Sequence, residues 1–188
     1  MLLFSDRSIW TMVHGLILSG GAMMAMAAIL FALIAMAAPR PGSLAATGAY
    51  QLPSAPRHTA AALAWLSVIM TVLLWLSVLM GTYRVFPMYR ATPPADAASL
   101  VAYPRALLLS SPDTRWLHAF GMEVKEHMPW IASMLVTAVA FITFRYRGRL
   151  LADDSLRRMA AVVLTISFAV VAFVALMGVF VNKVAPVE

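Results

Sequence analysis

Residues 9–38, IWTMVHGLILSGGAMMAMAAILFALIAMAA, decide the fold because they run for 30 positions without an acidic side chain, a lysine or an arginine. About 20 apolar residues of helix are enough to cross the hydrocarbon core of a bilayer. Three further apolar stretches follow, at about 59–81, 125–145 and 158–181. The sequence therefore predicts an all-α, polytopic membrane protein with a bundle of four transmembrane helices.

Composition agrees with this class. Hydrophobic residues make up 62% of the chain and charged residues 12%, with a mean hydropathy of +0.84. So little polar surface would not cover a soluble globule of this size. The four spans and their loops use nearly all of residues 1–188, so we predict one transmembrane domain. We expect a non-catalytic or electron-transfer subunit rather than a self-standing enzyme.

The positions of the charged residues indicate the binding partner, and the absence of cysteine excludes several kinds of cofactor. The formal net charge is +6, and the arginines lie in short loops beside apolar spans. Lipid headgroups, rather than nucleic acid, are therefore the expected counter-ions. The chain has no cysteine, which excludes disulfides, thiolate metal sites, iron–sulfur clusters and covalently attached c-type haem.

The third span is predicted to be unusually long. Ser111 is a favourable N-cap, Pro112 suits the first helical position, and Asp113 complements the positive helix end. A helix from there to the end of the span is about 50 Å long, which exceeds a hydrocarbon core of roughly 30 Å. We therefore expect 112–126 to lie along or project from the membrane, after an outer loop at 85–111. Pro129 predicts a kink.

Four crossings place both termini and the outer loop on one side. Lysine and arginine number seven on each side, but the other side concentrates its seven in two short loops, around 40–57 and 145–158. The positive-inside rule then favours the cytoplasm for those two loops. The expected location is the bacterial plasma (inner) membrane, with both termini outside.

Three of the four histidines mark a candidate site on the outer side. His14, His118 and His127 all fall toward that face, where ionisable groups are costly unless a partner or ligand offsets the cost. A non-covalently bound b haem needs two imidazoles from different helices at similar depth. We favour His14 with His127 as haem ligands, and His118 is the substitute.

Two carboxylates stand beside the predicted ligand on the third span. Glu123 is four residues before His127 and so shares its helical face, and Glu126 adjoins it. These carboxylates could orient an imidazole, relay protons near a quinone, or bind a divalent ion together with His14. Structural histidines without any ligand remain an alternative. Lys125 is expected to neutralise a neighbouring glutamate as a solvated ion pair.

Small residues recur at helical spacing in the spans. Such residues allow close helix packing, or the approach of a flat macrocycle. The pairs are Gly15/Ser19, Gly21/Ala25, Ser77/Gly81 and Ala175/Gly178.

With four short-looped helices and with His14 and His127 on the first and third, the chain loosely resembles membrane b-type cytochrome subunits. That resemblance implies a subunit of a respiratory or photosynthetic electron-transfer complex, holding one b haem near the outer face. It also implies a larger membrane complex and quinone as partners. The alternative hypothesis is a cofactor-free accessory subunit that stabilises a larger membrane complex, with its outer loop and long third helix docked on the partner.

Overall fold

The computed structural model of the protein describes residues 4–36, 57–150 and 152–186. In these ranges the chain is helical with no strand, and four helices are long and apolar enough to cross a membrane. The four are α1 (Asp6–Ala35), α2 (Ala60–Tyr89), α4 (Pro112–Arg145) and α5 (Asp154–Val184), and a short helix α3 (Pro104–Leu109) precedes α4. The predicted all-α class and the four apolar helices are confirmed.

The four long helices form a ring of neighbours. α4 packs against α2 and α5, and α1 packs against the same two helices. Large apolar side chains fill the centre of the ring with almost no exposure; among them are Met26, Ile29, Leu33, Met70, Val136, Val139 and Leu164. Other large apolar residues point outward, including Met24 at 77% exposure and Phe31 at 73%. An outer surface of this kind suits contact with lipid.

Polar contacts between helices are few and specific. Thr71 of α2 donates to the Val136 carbonyl oxygen at 3.2 Å, and the Trp75 indole N–H donates to Thr137 Oγ1 at 3.0 Å. Both join α2 to α4 near the middle of the bundle. They fix the rotation of α2 relative to α4, because each bond needs one face of each helix.

The predicted cap of α4 is present, and α5 also begins at a side-chain cap. Ser111 Oγ accepts from the Asp113 backbone N–H at 3.3 Å, with Pro112 at the first position of α4. Asp153 caps α5 by accepting from the Leu156 N–H at 3.0 Å. The third long helix accordingly runs unbroken from Pro112 to Arg145 and stays helical through Pro129.

Part of the segment predicted as loop, 85–111, is helical. α2 continues to Tyr89, and α3 occupies Pro104–Leu109. The irregular connection is therefore only 90–103. Proline misled the prediction because Pro104 stands at the first position of α3, where a missing N–H costs nothing. Pro87 lies in the last turn of α2, which stays helical through it.

Three segments of the long helices are π-helical rather than α-helical. They are Val13–Ser19 in α1, Gly81–Val85 in α2 and Leu117–Met122 in α4. All three lie toward the end of the bundle that carries the N-terminus and residues 90–103. Because π-helical turns widen a helix locally and occur often at functional sites, they mark this end of the bundle as a candidate functional end.

Candidate functional site

A cavity of about 900 Å³ opens between the four long helices at the end with the π-helical segments. Ligand pockets in proteins are roughly 300–1,000 Å³ and mostly apolar, with a few placed polar groups. Leucine, valine, methionine and aromatic side chains provide most of this lining. The ionisable or hydrogen-bonding side chains that reach it include His14, Ser77, Tyr89, Lys125, Glu126 and His127.

His14 lies in the π-helical segment of α1 and packs flat against α2. A methyl group added at Gly81 would lie 2.7 Å from His14 Cε1 and 3.3 Å from Nε2. Only glycine leaves space for the imidazole at this point, since carbon atoms in contact normally stay about 3.5–4.0 Å apart. The predicted small-residue pair Ser77/Gly81 therefore provides space for an imidazole and also allows α1 and α2 to pack closely.

The hydrogen bonds of His14 set its tautomer. Nδ1 lies 2.9 Å from the Ser77 carbonyl oxygen, and 3.1 Å from Ser77 Oγ. A carbonyl oxygen only accepts, so Nδ1 carries the proton and neutral His14 keeps a lone pair on Nε2. Nε2 has no hydrogen-bond partner among the residues that the structure describes. A histidine that binds a metal through one nitrogen commonly donates from the other in this way.

Two serines hold this arrangement together. Ser19 Oγ and Ser77 Oγ are 2.7 Å apart, and they lie 3.0 and 3.2 Å from the His14 carbonyl oxygen. α1 and α2 are thereby joined at the level of the imidazole.

His127 reaches the same cavity from α4. Its Nδ1 lies 2.9 Å from the Glu123 carbonyl oxygen and 3.5 Å from Glu123 Oε2, so Nδ1 again carries the proton and Nε2 keeps its lone pair. The predicted pairing of Glu123 with His127 is present. The side chain of His127 is 71% exposed, which places it at the rim, whereas Glu126 is partly buried in the lining.

His118 takes a different role. Its Nδ1 lies 2.8 Å from the Tyr89 hydroxyl, and the two rings are 6.0 Å apart. Tyr89 lines the cavity but His118 does not. His118 thus fixes Tyr89, and of the three candidate histidines the cavity brings together His14 and His127. His58 lies just before α2, in the first turn of a helix that begins at Arg57 at the opposite end of the bundle, and its side chain is outside the described part.

Lys125 does not form the ion pair predicted for it. Its side chain is partly buried in the cavity wall, where a methyl group added at Gly178 would lie 3.0 Å from Nζ. Within the described ranges no carboxylate lies within 4.0 Å of Nζ. The prediction was wrong because residues two apart in a helix are rotated by about 200°, so Glu123 and Lys125 face opposite ways.

Arg7 also lines the cavity, but its guanidinium is engaged elsewhere. It donates to the Val101 carbonyl oxygen at 3.3 Å and to the Pro186 carbonyl oxygen. These two bonds tie the connection 90–103 and the end of α5 to α1. The irregular connection therefore contacts its own bundle beside the cavity.

Sequence reasoning missed Ser77, Tyr89 and Lys125 as site residues. A helical projection of 123–127 would have found Lys125, because it places that lysine opposite the exposed pair Glu123 and His127. Ser77 and Tyr89 carry no comparable signal, since their roles depend on how α2 is placed against α1 and α4.

Across residues 4–36, 57–150 and 152–186 no group of three or more histidine, aspartate or glutamate side chains is arranged to hold a metal ion. Comparisons with protein-family models, with curated proteins and with solved structures found no match for this chain.

Proposed function

We propose that this chain is an integral membrane subunit of an electron-transfer complex and that its cavity holds one b haem, with His14 and His127 as the iron ligands. One observation carries the proposal. Two histidines from different helices line one cavity, and each directs Nδ1–H to a backbone carbonyl, which leaves Nε2 for a metal.

The volume and the lining of the cavity suit a haem. Its volume of about 900 Å³ lies at the upper end of the usual range for ligand pockets. Gly15, Gly81, Ala175 and Gly178 are in the lining, and small residues let a flat ring approach the helix backbones. The apolar remainder would keep water from the ring. A b haem bound here would supply one-electron oxidation and reduction.

The residues around the imidazoles would fix their positions and protons. The Ser77 carbonyl holds His14 in the Nδ1–H tautomer and Gly81 limits the tilt of its ring. Glu123 does the same for His127 from within α4. Glu126 offers a carboxylate in the cavity wall that could take up or release a proton near a quinone.

The proposal includes a membrane setting. The four apolar helices would cross the bacterial plasma membrane, with both termini and the cavity toward the outside and with α4 bent at Pro129. Arginine density in the loops 40–57 and 145–158 supports this orientation. The larger partner complex would receive or deliver the electrons.

The test is a pyridine haemochrome assay on the full chain, purified in mild detergent from a host that makes haem b. We expect one haem b per chain, in a yield that falls in His14→Ala. A wild-type protein that binds no haem under these conditions, while remaining monodisperse, would overturn the proposal. The cofactor-free accessory subunit would then be the better hypothesis.

A further inference from the structure

Lys125 is a cation without a counter-ion in an otherwise largely apolar cavity. Its ammonium rests against the Gly178 backbone, with no carboxylate within 4.0 Å among the described residues. An unpaired ammonium at this depth is costly unless something in the cavity compensates its charge.

The other charged residues at the cavity do not supply that compensation. Glu126 adjoins Lys125 along the chain, but neighbouring residues in a helix do not face each other, and no ion pair joins them in the described part of the chain. Glu123 is paired with the exposed His127. Arg7 is a second cation, already bonded to two backbone carbonyls.

We infer that Lys125 binds the carboxylate of an otherwise apolar ligand in this cavity, close to Gly178 on α5. The lining accounts for the apolar body of the ligand, and the lysine for its acidic group. A carboxylate accepts short, charge-assisted hydrogen bonds from an ammonium, and such a bond is stronger against a largely apolar lining than in bulk water. For a haem, whose two propionates are such carboxylates, the inference rests on the proposed function. For a fatty acid from the membrane it stands without that function.

Comparing the binding of a carboxylic acid with that of its ester tests whether Lys125 binds the acidic group or whether the ligand only fills the cavity. The apo form of the full chain would be titrated with haem b and with haem b dimethyl ester, followed by the Soret band. A parallel titration would use dibromostearate and its methyl ester, followed by quenching of tryptophan fluorescence, because Trp130 lines the cavity. Each ester keeps the apolar body and removes the charge.

The expected result is that the wild type binds the acid form of at least one ligand roughly tenfold or more tightly than the ester. Lys125→Met should abolish that preference and Lys125→Arg should keep it. Lys183→Met is the matched control, because Lys183 is exposed near the same end of the bundle and lies outside the cavity lining. It should behave as the wild type.

The two ligand series separate this inference from the proposed function. An acid preference that depends on Lys125 with haem identifies a propionate as the partner. The same preference with dibromostearate alone, and no haem binding, supports the inference and overturns the haem proposal. Equal binding of acid and ester in both series, or a preference that survives in Lys125→Met, overturns the inference even if haem binds.

Discussion

Replacing Gly81 by alanine should dislodge the His14 imidazole without disturbing the helices. The new methyl group would lie 2.7 Å from His14 Cε1, about 1 Å inside normal carbon–carbon contact. The ring is bonded to the Ser77 carbonyl at 2.9 Å, so it can only move by stretching or breaking that bond. Overpacking of this kind costs about 1–3 kcal/mol, and loss of a partner that orients a metal ligand typically weakens metal binding by about 10–100-fold.

We therefore expect Gly81→Ala to lose haem about 10–100 times more readily than the wild type, measured as transfer of haem to excess apomyoglobin. Gly21→Ala is the matched control. Its methyl group would meet Leu73 Cδ1 at an ordinary 3.5 Å, and both changes raise intrinsic helix propensity by about 1 kcal/mol. If Gly81→Ala retains haem as well as Gly21→Ala does, the contact between Gly81 and His14 does not position a ligand and the reasoning fails.

Variants of His14, His127 and Ser77, and two introduced cysteines, test other parts of the same arrangement. His14→Ala and His127→Ala should each lose or shift the reduced Soret and α bands in a reduced-minus-oxidised spectrum, because one axial imidazole is removed; unchanged bands in either variant would exclude that histidine as a ligand. Ser77→Ala keeps the carbonyl that accepts from His14 Nδ1, so haem retention should stay within about threefold of the wild type. Loss of the serine contacts should lower the free energy of unfolding in detergent by about 0.6 kcal/mol. A large loss of haem would mean that the hydroxyl, not the carbonyl, orients the ring. In intact cells, a cysteine placed at Gly148 of the otherwise cysteine-free chain should be shielded from an impermeant thiol reagent, whereas a cysteine placed at Ala97 should be labelled. The reverse labelling pattern would invert the proposed topology.

The helices were predictable because their signal is local. An uncharged run of 30 residues has few alternatives to a buried or membrane helix, and Ser111 with Pro112 is a start signal whose effect depends on its own neighbours. The i, i+4 pair of Glu123 and His127 is likewise a property of one helix.

The features that the sequence did not predict depend on more than one helix. The contact of the His14 imidazole with Gly81 requires a particular rotation and depth of α1 against α2. The hydrogen bond between Tyr89 and His118 joins α2 to α4. The π-helical segments escape notice because one widened turn hardly changes the apolar periodicity of a span that is apolar all round. Lys125 is the exception, since helical geometry alone separates it from Glu123.

The central claim is that His14 and His127 hold one haem between them. Electron paramagnetic resonance of the oxidised, purified protein tests it most directly, because two imidazole ligands make ferric haem low-spin and a single one leaves it high-spin. We expect a low-spin signal from one haem per chain, converted to a high-spin signal in His127→Ala. A high-spin signal in the wild type, a low-spin signal that survives in His127→Ala, or no haem signal at all would contradict it.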